Sequence, residues 1–112
     1  MAFSPDSQIL ASGHVGYEDI TVRLWRVSDG TLLRTLEGHT DVVESVAFSP
    51  NGQILASASR DGSARLWRVS DGTLLRILGG LMNWPVNVAF SPDGKILAAG
   101  CWDSVILWGV IP

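Results

Sequence analysis

The sequence predicts an all-β fold assembled from repeated four-stranded antiparallel meanders. Three observations carry that prediction. The phrase Ala2-Phe3-Ser4-Pro5-Asp6 returns as Ala47-Phe48-Ser49-Pro50-Asn51 and again as Ala89-Phe90-Ser91-Pro92-Asp93, a spacing of 45 and then 42 residues. A second anchor follows each phrase: Arg23-Leu24-Trp25-Arg26, Arg65-Leu66-Trp67-Arg68 and the divergent Ile106-Leu107-Trp108-Gly109. Between these anchors Pro and Gly interrupt the chain so often that no stretch holds three turns of amphipathic helix.

The middle unit is complete and sets the template. Val42–Phe48, Gln53–Ser59, Ser63–Val69 and Thr73–Leu78 each have the length and composition of a short strand. Ser49-Pro50-Asn51-Gly52 suits a type I turn, with Pro fixing φ at its second position, and Arg60-Asp61-Gly62 and Ser70-Asp71-Gly72 mark the other reversals. Four strands per repeat is the count of a β-propeller blade. The same template predicts strands near Gln8–Ser12, Ile20–Val27 and Thr31–Leu36 in the first unit, and Val86–Phe90, Lys95–Ala99 and Ser104–Val110 in the third. The chain is thereby divided into an incomplete blade (1–40), a complete blade (41–80) and a blade lacking its last strand (81–112), a partial propeller. Roughly 18 further residues would complete three units.

Composition narrows the function classes. Apolar residues make up 46% of the chain and charged residues 17%, which suits sheets covered on both faces. A net charge of −3 gives no basic footprint for nucleic acid. No apolar stretch is long enough to span a bilayer, so neither nucleic acid nor membrane is an expected partner. The single cysteine, Cys101, excludes an internal disulfide and fits a reducing, cytoplasmic setting.

Gly38-His39, the Phe-Ser-Pro-Asp/Asn-Gly turn, Ile54-Leu55-Ala56-Ser57-Ala58-Ser59, the Asp61 turn and Arg65-Leu66-Trp67 together resemble the WD-repeat β-propeller family. The resemblance covers essentially the whole chain. It implies a structural tetrad in each blade, running from His through Ser or Thr and Asp to Trp. Only the middle unit holds all four, as His39, Ser59 (with Ser57 a substitute), Asp61 and Trp67. Where the family often has Trp-Asp this chain has Trp25-Arg26 and Trp67-Arg68, Leu81 replaces the His of the third unit, and Trp102-Asp103 lies one strand too early. The first unit lacks the tetrad His and carries a three-residue insertion within His14–Asp19, read as a solvated loop. Arg23–Leu36 and Arg65–Leu78 differ only at Thr35 and Ile77, an internal identity that resembles the recently duplicated propellers of bacteria.

Catalytic, cofactor-binding and metal-binding residues are not expected. Cys101, His39 and the carboxylates lack metal-ligand spacing, and Gly79-Gly80 merely takes the place of Glu37-Gly38 between blades. The resemblance implies a non-enzymatic protein–protein interaction scaffold. Loops expected on one face collect Tyr17, Glu18, Arg60, Leu81, Met82, Trp84, Cys101 and Trp102, mostly residue types enriched in interface cores. They form either a recognition patch or, for Trp84 and Trp102, a repacking of the blade where Leu81 replaces His. The apolar strand Val105, Ile106, Leu107, Trp108, Val110 and Ile111 is a candidate self-association edge. The expected partners are proteins or further copies of this chain, a dimer or trimer closing a ring within or near the usual range of about four to eight blades. The alternative is a truncated fragment of a longer WD-repeat protein without independent function.

Overall fold

The computed structural model describes residues 1–14, 20–81 and 85–110, and these form three antiparallel sheets that stack in chain order. The first contains β1 (Ala2–Phe3), β2 (Ile9–Gly13), β3 (Val22–Arg26) and β4 (Leu32–Leu36). The second contains β5 (Val43–Phe48), β6 (Ile54–Ser59), β7 (Ala64–Arg68) and β8 (Leu74–Leu78). The third, within the described residues, contains β9 (Pro85–Phe90), β10 (Ile96–Cys101) and β11 (Val105–Gly109). Each sheet is a meander whose neighbours in sequence are neighbours in space. β5 packs against β1 and β2 on one side and against β9 on the other. The result is an unclosed β-propeller of three blades.

The sheets form where turn chemistry forces reversal. In the first turn of every blade one serine does two jobs: Ser49 Oγ donates to Asn51 Oδ1 (2.8 Å) and accepts from Ile54 N–H (3.1 Å), while Asn51 Oδ1 accepts from Gln53 N–H (3.0 Å). Ser4 with Asp6, and Ser91 with Asp93, repeat this arrangement. The serine hydroxyl, first among several hydrogen bonds, holds the Asp6 and Asp93 carboxyls below their ordinary range. Arg26 and Arg68 take up the turn between third and fourth strands, where Nη1 donates to Asp29 at 3.1 Å and to Asp71 at 3.0 Å. The arginine of the Trp-Arg dipeptide is thus a turn clamp.

Stacking is what buries the core. Between the first two sheets Ala11, Val22, Leu24 and Leu36 meet Leu55, Trp67 and Val69. Between the second and third, Ala56, Ala58 and Ala64 leave room for Leu97, Val88 and Val110. Polar ties cross the same gaps: Arg34 Nη2 donates to the Ser70 carbonyl (2.5 Å), Arg76 Nη1 to the Gly109 carbonyl (3.3 Å), and Val88 N–H to Ser45 Oγ (3.2 Å). Pro85, fully buried, opens β9, the strand position where a missing N–H is tolerated.

The two outer faces of the stack have no such cover. Leu66 and Leu107 hold the same register, each one residue before the third-strand Trp, yet Leu66 is 2% exposed and Leu107 64%. Replacing Leu66 with Ala is expected to cost about 2–5 kcal/mol, whereas Leu107→Ala should stay within about 0.5 kcal/mol. Urea unfolding of the two variants checks this, and equal losses would mean that inter-sheet burial is not the source of stability.

Candidate functional site

The polar centre of the second blade is a hydrogen-bonded relay running across three elements. Trp67 Nε1–H donates to Ser57 Oγ (2.9 Å), the Ser57 hydroxyl donates to His39 Nε2 (2.7 Å), and His39 Nδ1–H donates to Asp61 Oδ2 (2.8 Å). An indole N–H can only donate and a carboxylate can only accept, so with a neutral imidazole the direction of every proton in the chain is fixed. Asp61 also accepts from Thr40 N–H, Ser63 N–H and Ser63 Oγ. Burial pushes the Asp61 carboxyl up, but the hydrogen bonds from Ser63, His39 and Thr40 outweigh it and hold the group at about 2. Burial pushes the His39 imidazole down, more than its contact with Asp61 raises it, so the ring is neutral at pH 7.

The serine of this relay is Ser57, and the tetrad expected through Ser59 is corrected accordingly. Both hydroxyls lie on one face of β6, but Ser59 sits at the strand end, where its Oγ donates to the Asp41 carbonyl (2.9 Å) and accepts from Asp61 N–H (3.0 Å). Ser57 is a diagonal step from Trp67 across the ladder, since Leu55 is the residue opposite Trp67.

A second correction concerns His14, which is not simply a residue of a solvated loop. Trp25 Nε1–H donates to Ser12 Oγ (2.8 Å), and Ser12 Oγ is hydrogen-bonded to His14 Nε2 (2.9 Å). The His14 and Trp25 ring centroids are 6.4 Å apart, as are those of His39 and Trp67. His14 therefore supplies from the end of β2 the imidazole that the second blade draws from the connection between blades. The signal was available: Ser12 and Trp25 align with Ser57 and Trp67, and His14 follows Ser12 by two residues, on the same strand face. In the third blade Ala99 and Leu81 stand in the places of Ser57 and His39, both buried. An apolar pair replaces a polar one.

The expected interaction face is divided by the structure. Trp102 is 82% exposed, which is incompatible with its repacking the blade interior. Arg60 is exposed and ion-paired with Glu44, and Cys101 is a half-buried free thiol. Leu81, 3% exposed, belongs to the core between the second and third sheets and is removed from that face. Tyr17, Glu18, Met82 and Trp84 lie outside the described residues. Along the expected self-association edge, Val105 and Leu107 are exposed, whereas Ile106 and Trp108 pack toward the second sheet and Val110 is buried. Alternation along β11 divides the apolar run between two faces, and Ile111 lies outside the described residues. No group of three or more potential metal ligands converges among the described residues, and no helix there is long and apolar enough to cross a membrane.

A family model for the WD domain, G-beta repeat, matches residues 1–26, 30–68 and 71–108. The chain belongs to the WD40 repeat family. WD40 domains are non-catalytic modules that typically mediate protein–protein contacts. Similar proteins include the Periodic tryptophan protein 2 homolog of Neurospora crassa, 45% identical over 64 residues, 57% of this chain and 7% of that protein. Periodic tryptophan protein 2 of Arabidopsis thaliana is 40% identical over 63 residues, 56% of this chain and 7% of that protein. An uncharacterized WD repeat-containing protein of Synechocystis is 46% identical over 59 residues, 53% of this chain and 16% of that protein. The matched stretch is thus a small part of each relative's length. Fungal, plant and cyanobacterial proteins all share it, so the match does not single out a bacterial source.

Two measurements test the relay. Both titrating groups have folded pKa values below their ordinary ones, so each stabilises fully above its unfolded pKa and loses that contribution as pH falls. The melting temperature is expected to fall as pH drops below 6.5, where His39 is protonated first in the unfolded chain, and again below 3.8 toward about 2, through Asp61. A His39→Leu variant should lack the first decline, and an unchanged profile would remove His39 from the account. Separately, Ser57→Ala strands the Trp67 N–H and should cost about 1–3 kcal/mol. Pairing it with His39→Leu should cost less than the sum, since the third blade carries that apolar combination, and a double-mutant cycle in urea reads the difference.

Proposed function

We propose that this chain forms three consecutive blades of a larger WD40 propeller and that the completed propeller is a scaffold for protein partners. The observation that carries the reading is the pair of open sheet faces. Phe3 on the first sheet and Val105 and Leu107 on the third are each more than 60% exposed, although blade faces of this design are buried wherever a neighbour exists. A stack of blades is stable only when its ends are capped or closed. The small share of each relative that the chain matches supports the same reading, because those relatives carry comparable repeats within much longer proteins. Completion by further copies of this chain is the second reading, favoured by the same apolar ends. Two copies would bring about six blades, inside the usual range of roughly four to eight, and three would bring about eight or nine, near its upper end.

On this reading the solvent-facing Trp102 and the Arg60–Glu44 pair are among the described residues open to a protein partner. A cytoplasmic setting is part of the proposal and rests on the lone thiol of Cys101.

Light scattering coupled to size exclusion, over a wide concentration range, tests the proposal. The isolated chain is expected to associate heterogeneously as concentration rises. A discrete dimer would overturn the proposal in favour of self-completion, and a monomer at every concentration would overturn both readings.

A further inference from the structure

The open face of the first sheet carries a groove of about 350 Å³ lined by Phe3, Leu10, Trp25, Arg26, Val27 and Gly30. Residue for residue, these are the types found at Phe48, Leu55, Trp67, Arg68, Val69 and Gly72 of the second blade. There the same surface is filled by the first sheet. Leu36 packs into the cluster containing Leu55, Trp67 and Val69, and Arg34 reaches across to the Ser70 carbonyl (2.5 Å). Both side chains lie over Gly72: a Cβ built there, at a φ of +76°, would stand 3.2 Å from Arg34 Cδ and from Leu36 Cδ2. At the third sheet Arg76 also reaches across, but to the carbonyl of Gly109, the counterpart of Arg68 and two residues short of the position that matches Ser70. Around Gly30 there is open space, with nothing within 4 Å of an added Cβ.

We propose that this groove is the seat for the fourth strand of another WD40-type blade carrying an Arg-x-Leu pair, the arginine donating to the Ser28 carbonyl and the leucine lying over Gly30. The inference rests on the reading of the chain as part of a larger propeller and specifies the chemistry of the blade that precedes it. The third sheet of a second copy does not supply that chemistry. Among the described residues its open face offers Val105 and Leu107 on β11 and no Arg-x-Leu strand, so such a copy would leave Gly30 and the Ser28 carbonyl uncovered. The strands of this chain that have the pair, β4 with Arg34 and Leu36 and β8 with Arg76 and Leu78, are each engaged by the following sheet.

The test uses the full chain, ¹⁵N-labelled, and a synthetic peptide with the sequence of residues 29–38. The Trp25 indole and Gly30 amide signals are expected to move saturably while the Gly72 amide, whose seat is filled, stays in place. A peptide carrying Arg34→Ala should bind about tenfold more weakly, by the loss of a charged hydrogen bond. Val27→Arg in the chain should abolish the response without moving the Trp67 signal, which reports an intact fold. The proposal is overturned if Trp25 and Gly30 do not respond up to millimolar peptide, or respond equally to the alanine peptide. It is also overturned if these signals change with chain concentration alone and are released by Leu107→Arg, which would assign the groove to a second copy. Solution mass is measured separately, so a failed titration of a heterogeneously associating chain refutes the Arg-x-Leu seat and leaves the larger propeller standing.

Discussion

A four-stranded meander has two faces and no interior, and this constraint governs everything else in the molecule. The middle blade presents one face with Leu55, Trp67 and Val69 and another where Ala56, Ala58 and Ala64 lie beside Leu66 and Leu78. The face carrying tryptophan meets the opposite face of the neighbouring sheet at both internal junctions, so burial belongs to the junction and not to the sheet. Stability therefore depends on neighbours, and the middle blade, which has two, contains the most completely buried side chains.

Polar groups survive in such a core only when satisfied. The relay from Trp67 through Ser57 and His39 to Asp61 meets that condition with every donor directed, and its carboxylate collects four hydrogen bonds. The other two blades solve the same problem differently. His14 completes a shorter network from within its own sheet, and in the third blade Ala99 and Leu81 replace hydroxyl and imidazole together. These are three solutions at one position in the fold, of which only the first blade's does not draw on the connection between blades.

The strands and their order were legible because Pro, Gly and Asp mark each reversal with a definite chemistry, and alternation in Ile54–Ser59 assigns faces. The tetrad was legible in kind but not in detail. Ser57 and Ser59 share a strand face, so the choice between them depends on the diagonal offset of Trp67, which spacing alone does not encode. His14 was misread because an imidazole was expected only from the connection preceding a blade. Leu81 was placed on a surface because its loop was known and its side-chain direction was not. The apolar run at Val105–Val110 resembled a single edge, while the pleat divides it between an exposed and a covered face.

Pro5 rests on Gly52 and Pro50 on Gly94, with an added Cβ 3.4 and 3.5 Å from the ring Cδ. The same rung recurs at each junction and sets how closely successive turns approach along that rim of the stack. An added Cβ would meet the prolines at ordinary contact distance, so what reserves the two positions for glycine is the backbone, with φ of +72° and +75°. The angular step between sheets determines how many fit in a circle, and these two contacts lie on one rim of that step. In the first sheet Ser7, at a φ of +62°, occupies the corresponding place. A side chain is therefore carried in the left-handed conformation in one first turn of the three, where the other two use glycine.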